Sequence, residues 1–404
     1  MPPVPRAPAT FDSMWSALEP IGRCAATGGY RRYAWTRTDA DLREWFAGEA
    51  AARGLDLVED RAGNQWAWWG NPDAALAAGS PGVVVGSHLD SVPDGGAFDG
   101  PLGVVSAFAA IDVLRAAGTE PGRPVGVVGF ADEEGARFGV ACAGSRLLTG
   151  ALAADQGLAL RDQDGASMAE AMAAAGHDPA TVGRDDEVLR RVGSFVELHV
   201  EQGRGLVDLD RPVAVADSIW PHGRWRLDLL GEANHAGTTR LPDRDDPMLA
   251  LATVIVAARE RAGSLGCVAT VGKVQVEPNG VNAIPSRVVA WLDARGADPE
   301  AVRRLVTEVG VAAGTAPTEE SFTPATSFDP ALRARLTALL DDVPVLPTGA
   351  GHDAGILAAA GVPSAMLFVR NPTGVSHSPA EHADRDDCRA GVLALAQVVA
   401  DLAS

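Results

Sequence analysis

Lysine is nearly absent. Lys273 is the only one in 404 residues, while glycine (45) and alanine are abundant. That imbalance reads as a genomic base bias with no function attached. Basic charge is scarce as a whole, with 34 Lys+Arg against 53 Asp+Glu and a formal net charge of -19. Nucleic acid and anionic membrane surfaces both repel a body of that sign, which argues against either as a partner. A small anionic substrate remains open, because a local arginine overrides the global field. Cysteine is sparse too: Cys24, Cys142, Cys267 and Cys388 lie far apart with no CxxC pair. Reduced, mostly buried thiols are expected, and neither a disulfide framework nor a zinc finger. No run approaches about 18 apolar residues without a charge or a helix stop, so no membrane span is expected. Met1 to Pro20 contains Arg6 but no apolar h-region, so no signal peptide is expected either. Together these absences predict a cytoplasmic location.

What is present is ordinary for a globular protein, 47% hydrophobic and 22% charged. The length suggests about two domains. In the first half strands alternate with helices. Gly82-Val83-Val84-Val85-Gly86 is an apolar run bounded by glycine, as a buried strand requires. A helix follows from Pro101 to Ala117, with Gly118 as its stop. Val125 to Phe130 and Ser194 to His199 are further buried strands. Near Arg211-Pro212 the character changes. Arg224 to Leu230 and Arg287 to Arg295 alternate polar and apolar residues, with helices over Asp246 to Ala262, stopped by Gly263, and over Pro299 to Ala313. Strand, helix, strand, strand, helix is the pattern of a small α+β sandwich. Its open sheet edge invites pairing with a second copy. After a connection rich in Thr, Pro and Ser (315–327), the α/β alternation resumes: helix 330–340, strand 343–347, helix 353–360, strand 364–369, helix 386–402. The expected fold class is therefore α/β: a catalytic domain of residues 1–212 and 328–404, with an α+β domain, 213–327, inserted into it.

Five segments carry groups suited to a metal: Gly86-Ser87-His88-Leu89-Asp90, Phe98-Asp99-Gly100, Asp132-Glu133-Glu134-Gly135, Glu197-Leu198-His199 and Ser376-His377-Ser378. The clusters at His88 and at Glu133 sit just past the carboxyl ends of strands, where open α/β sheets bind ligands. His88 can ligate a divalent ion while Asp90 holds its other ring nitrogen; alternatively it is a structural histidine. Asp99 precedes a helix, as a cap or as a carboxylate bridging two metals. Glu133-Glu134 form a solvated acidic loop, or one ligates while the other serves as general base. Buried adjacent carboxylates are costly unless cations offset them. All five segments in one predicted sheet form the inventory of a two-metal hydrolytic site.

These segments, with Gly95-Gly96-Ala97-Phe98-Asp99-Gly100, Glu133-Glu134-Gly135-Ala136-Arg137-Phe138, Glu197-Leu198-His199-Val200-Glu201-Gln202-Gly203, His235-Ala236-Gly237-Thr238-Thr239, Pro278-Asn279-Gly280-Val281-Asn282 and Gly349-Ala350-Gly351-His352-Asp353, resemble the M20 metallopeptidase clan. Within it they are similar to the branch of allantoate amidohydrolases and N-carbamoyl-L-amino acid hydrolases. The resemblance covers nearly the whole chain. It implies two divalent ions, zinc or manganese, held by His88, Asp99, Glu134, His199 and His377, with Asp99 bridging. One ion would lie among His88, Asp99 and His199, the other among Asp99, Glu134 and His377, with Glu133 as general base and Asp90 supporting His88. It implies a homodimer in which His235, on the inserted lid, stabilises the oxyanion across the interface, while Gln202, Asn282 and Arg295 grip the substrate. The lid would swing about hinges near 210–214 and 325–330. The activity implied is hydrolysis of a linear ureido group on a small carboxylate, first allantoate, giving ureidoglycine, ammonia and carbon dioxide. N-carbamoyl-L-amino acids are the alternative, and a catalytically silent binding protein the third reading. Arg240 stands where many relatives have proline; it either binds an anionic substrate or, the favoured reading, pairs with Asp243 or Asp245. His352 borders the site without an assigned role.

Overall fold

Four apolar strands set the frame: Val125–Phe130, Gly82–His88, Val192–Val200 and Ser364–Val369. They are almost wholly buried and apolar on both faces, which is how strands read when helices cover both sides of a parallel sheet. The computed structural model, which describes residues 10–404, pairs them in that order, all parallel. The reading of Met1 to Pro20 falls partly on residues 1–9, outside the described residues. Gln65–Trp69 adds an antiparallel strand on one side and Val213–Ile219 on the other, within a nine-stranded sheet. The chain leaves Gly82–His88 to pair with Val125–Phe130 on one side and returns through Val192–Val200 on the other. Such a reversal opens a crevice beyond the carboxyl ends of the strands.

Helices Pro101–Ala116 and Arg385–Leu402 pack against each other, and both contact the sheet. Proline at the first position of Pro101–Ala116 suits a helix start, where no N–H partner is needed. Leu102, Phe108 and Ile111 meet Val392, Leu395 and Val399 in one core. Each such side chain, fully buried, stabilises the fold by about 1.5–3 kcal/mol. Phe108→Ala would cost about 3–5 kcal/mol, because the closed core cannot collapse into the void.

The chain divides into two compact units, Met1–Asp217 with Ser327–Ser404, and Ser218–Thr326. The first junction lies inside the strand Val213–Ile219, later than the change of character at Arg211-Pro212. Val215 pairs with Leu367, so most of that strand belongs to the large sheet. The smaller unit is a four-stranded antiparallel sheet in the order Thr318–Thr323, His222–Leu230, Arg287–Gly296, Cys267–Glu277. Leu227, Leu229, Val288 and Leu292 face Leu251 and Val254 of helix Pro247–Leu265 and Leu305 and Val309 of helix Pro299–Ala313. Asp246 and Asp298 cap those helices through their side chains.

Two expectations are corrected. The helix does not stop at Gly263 but runs to Leu265, and Gly266, at φ 65°, supplies the left-handed cap. An interior glycine costs a helix only about 1 kcal/mol, too little to end one packed on a sheet. Thr318–Thr323, inside the presumed connection 315–327, is an edge strand. It is largely exposed and so carries no apolar alternation that would reveal it. At the opposite edge, Cys267–Glu277 leaves Val268 and Val274 exposed. Among the described residues no helix is long and apolar enough to cross a membrane.

Candidate active site

The parallel strands deliver the candidate residues to one edge. His88 ends Gly82–His88, His199 lies one residue from the end of Val192–Val200, Glu133 and Glu134 follow Val125–Phe130, and His377 follows Ser364–Val369. Asp99 stands just before helix Pro101–Ala116 but does not cap it. Gly100 occupies the cap position at φ 82° with no side-chain cap bond, so both Asp99 oxygens stay in the site. Gly100 is required by contact as well as by φ. A Cβ there would meet the His88 ring at 2.4–2.6 Å.

Asp99 divides the site in two. Its Oδ1 lies 3.1 Å from His199 Nε2 and 3.6 Å from His88 Nε2. Its Oδ2 lies 3.4 Å from His377 Nε2, which is itself 3.7 Å from Glu134 Oε2. His88, Asp99 and His199 thus form one group whose potential ligand atoms lie within 4.8 Å of one another, and Asp99, Glu134 and His377 form a second. The tautomers follow from the other ring nitrogens. His88 Nδ1 faces the Asp90 carbonyl at 3.2 Å and His199 Nδ1 the Val200 carbonyl at 2.9 Å. A carbonyl only accepts, so each Nδ1 carries a hydrogen, and in the neutral ring each Nε2 presents a lone pair.

Asp90 works differently from expectation. Its carbonyl, not its carboxylate, takes the His88 N–H. The carboxylate, 3.4 Å from that nitrogen, accepts the backbone N–H groups of Glu133 (3.0 Å) and Glu134 (2.9 Å). One residue therefore aligns both neighbouring strand ends. Gln202 also leans on the site itself: its amide nitrogen donates to Asp99 Oδ2 at 2.8 Å, and its buried Oε1 has no partner.

Burial and like charge perturb the acids. Burial, with Asp353 and Glu134 adding to it, raises the Glu133 carboxyl well above its ordinary range. Burial, then the charge of Asp99, pushes Glu134 up to about 7. The bases move as their partners require. Burial works against a charged His88, yet Glu133, Asp90 and Asp99 outweigh it and hold the imidazole well above its usual value. The hydrogen bond to Asp99, aided by Glu134, raises His377 to about 9. Burial opposes ionisation of Asp99, but His199, His377 and His88 hold its carboxyl well below the usual range. Asp90, Asp99, Glu133 and Glu134 thus sit against only three imidazoles.

His88 Nε2, His199 Nε2 and Glu134 Oε1 are buried with no hydrogen-bond partner. Unpartnered polar atoms in a buried, acid-rich cleft are costly, and a cation bound by the neutral rings would offset that cost. The donor set, imidazole nitrogen with carboxylate oxygen, fits zinc or manganese equally.

Sequence reasoning missed Glu381 and Cys142 and gave Glu197 and His352 no definite role. Glu381 accepts the backbone N–H groups of Phe98 (2.8 Å) and Asp99 (3.0 Å) and the Ser376 hydroxyl (2.9 Å), so it ties the Asp99 loop to the His377 loop. Its only sequence signal is a carboxylate four residues after His377. Glu197, fully buried, accepts from the Ser87 hydroxyl (2.7 Å) and the Ala354 N–H (3.0 Å). His352 stacks edge-on to His199, centroids 4.5 Å apart, and burial holds its imidazole well below the ordinary value. The Cys142 thiol lies 3.1 Å from Glu133 Oε1.

The smaller unit carries the remaining candidates. His235 is exposed on the short strand Asn234–His235, paired with Ala283–Ile284. The Gly237 N–H donates to its Nδ1 at 3.0 Å, so in the neutral ring Nε2 bears the hydrogen and can donate outward. Asn282 stands beside it, its carbonyl accepting the Ala236 N–H at 2.9 Å. Arg295 lies at the far end of the strand Arg287–Gly296, opposite His222, and forks onto Asp293 at 2.7 and 3.0 Å. Arg240 pairs with Asp243 at 2.6 Å. Arg31 and Arg32, ahead of helix Arg37–Ala52, are structural. Arg31 pairs with Asp94, and Arg32 is buried on the Ile21 and Leu18 carbonyls.

Residues 84–401 match Peptidase family M20/M25/M40. The chain is 36% identical over 410 residues to an N-carbamoyl-L-amino acid amidohydrolase of Geobacillus stearothermophilus, covering 97% of this chain and 98% of that one. It is 32% identical to the allantoate amidohydrolase of Escherichia coli, covering 93% of both. Among solved structures, an amidase of the hydantoinase/carbamoylase family from Burkholderia vietnamiensis superposes with a TM-score of 0.86 at 29% identity, covering 98% of each.

Proposed function

Because this chain belongs to peptidase family M20/M25/M40, we propose that it is a metal-dependent amidohydrolase that cleaves a linear ureido group on a small carboxylate. Allantoate is the first substrate, giving ureidoglycine, ammonia and carbon dioxide. The observation that carries the reading is Asp99, whose two oxygens face two groups of potential ligands, one with the orphaned Nε2 atoms of His88 and His199 and the other with an orphaned Glu134 oxygen. His88, Asp99 and His199 would hold one divalent cation, and Asp99, Glu134 and His377 a second. Bound there, the cations would supply Lewis-acid polarisation of the ureido carbonyl and acidify a water.

The protein's own groups do the rest. Glu133, its Oε2 3.8 Å from His88 Nε2, takes a proton from the attacking water and returns it to the departing nitrogen. Gln202 Oε1, buried and unpartnered, accepts a ureido N–H. Arg295 binds the substrate carboxylate through parallel hydrogen bonds, and His235 Nε2–H donates to the oxyanion. His235 stands at the Arg287 end of the lid sheet, beside Ala283, and Arg295 at the other end. Arg287 to Arg295 alone spans about 26 Å at roughly 3.3 Å per residue. That is far longer than a small ureido carboxylate. That length favours a homodimer as the working unit, in which His235 and Arg295 reach one substrate from different copies.

A second reading, N-carbamoyl-L-amino acids as substrate, is favoured by the 36% identity to the Geobacillus protein. Ammonia release by manganese-loaded protein, compared as kcat/KM between allantoate and a panel of N-carbamoyl-L-amino acids, separates the two. Glu133→Gln should keep its metals and lose about 100- to 10,000-fold in kcat. Near wild-type turnover by that variant would remove Glu133 from the mechanism.

A further inference from the structure

Cys142 is a buried thiol that no step so far employs, and three features set it apart. It is 2% exposed and lies against Glu133, itself 6% exposed. Its backbone is left-handed, φ 55° and ψ 37°, a conformation that glycine or asparagine adopts far more readily than a residue with a Cβ and no polar group to fold back. It stands at the cap position of helix Ala143–Thr149, yet its side chain makes no cap hydrogen bond. The side chain turns instead to Glu133, Sγ to Oε1 3.1 Å, while the Cys142 N–H donates to the Glu133 carbonyl. A strained backbone held beside a reactive group points to a use for the side chain it carries.

A carboxylate has two oxygens, and a general base uses one. Glu133 Oε2 is the oxygen that faces His88. The other, Oε1, has the thiol as its neighbour, and when Glu133 is ionised, as a base must be, only S–H of that pair can donate. We propose that Cys142 is a positioning residue for Glu133: its S–H holds Oε1, fixes the carboxylate rotation, and leaves Oε2 as the oxygen presented to the attacking water. The inference rests on the reading of Glu133 as general base. Cys142 itself touches no reacting atom. A base held in one rotation spends more of its time in the productive geometry, so the contact acts on kcat and not on substrate or metal affinity.

Three variants of the full-length, manganese-loaded protein test this. Cys142→Ala and Cys142→Gly both remove the donor, but glycine also relieves the left-handed strain. Cys142→Ser keeps a donor. The expected result is a fall in kcat of about fivefold or more for the alanine and glycine variants, with KM and metal content unchanged. The glycine variant should do so without a lower Tm, and serine should restore most of the rate. A purely structural cysteine would instead give a glycine variant with full kcat, and wild-type kcat in both donor-free variants overturns the proposal. The S–H stretching band, identified by its loss in Cys142→Ser, provides a readout that needs no turnover. It should lie below the frequency of a free thiol and move upward in Glu133→Gln. A band that does not respond to Glu133→Gln overturns the contact. Full activity of Glu133→Gln overturns the general-base reading instead, so the two failures are distinguishable.

Discussion

Purified heterodimers carrying His235→Ala in one subunit and Arg295→Ala in the other should retain about half the wild-type kcat, although each homodimeric variant is crippled. The expectation comes from the lid sheet. His235 is tied to Ala283 at one end, and Arg295 pairs with His222 at the other. The intervening strand, about 26 Å at roughly 3.3 Å per residue, is too long for one copy to place both side chains on one small substrate. In a symmetric dimer each site then draws His235 from one subunit and Arg295 from the other. Mixing the variants puts both lesions in one site and neither in its twin. Each homodimer has one lesion in every site. Loss of an oxyanion donor alone should lower its kcat about 100- to 1,000-fold. Two affinity tags with sequential capture isolate the mixed species, and ammonia release reads its rate. Activity no higher than that of the homodimeric variants would mean that both residues reach a site from one chain, and the strand-length argument would fall.

Other consequences are quicker to check. Gly100→Ala should destabilise the protein by about 2–4 kcal/mol, from a left-handed φ and overpacking against the His88 ring. It should also lose metal, measured by thermal melting and metal content; a wild-type Tm would contradict the contact. Metal uptake should release protons, because in the metal-free protein His377, held at about 9, is protonated at neutral pH and must lose that proton to ligate. Apparent affinity should therefore rise as pH passes through about 9. Calorimetry in two buffers of different ionisation enthalpy gives the proton count, and a pH-independent affinity would remove His377 from the ligand set.

His88, His199, Glu133 and Glu134 were readable in the chain because they stand at or just past the ends of buried apolar strands, and both the apolar run and the polar stop are local. The helix caps at Asp246 and Asp298 and the parallel character of the buried strands belong to the same local code. The edge strand Thr318–Thr323 escaped because an exposed edge imposes no apolar period. Nor does any local pattern report that the Asp90 carboxylate serves Glu133 and Glu134 while its carbonyl serves His88. That choice depends on how two adjacent parallel strands end side by side. The Glu381 carboxylate reaches the Phe98 N–H across 283 residues, and the Cys142 thiol turns back onto Glu133 through a left-handed backbone. Periodicity and capping act over a few residues of chain, so they name elements and the groups at their ends. Which oxygen meets which histidine depends on strand order and crossover, which arise only when distant segments pack.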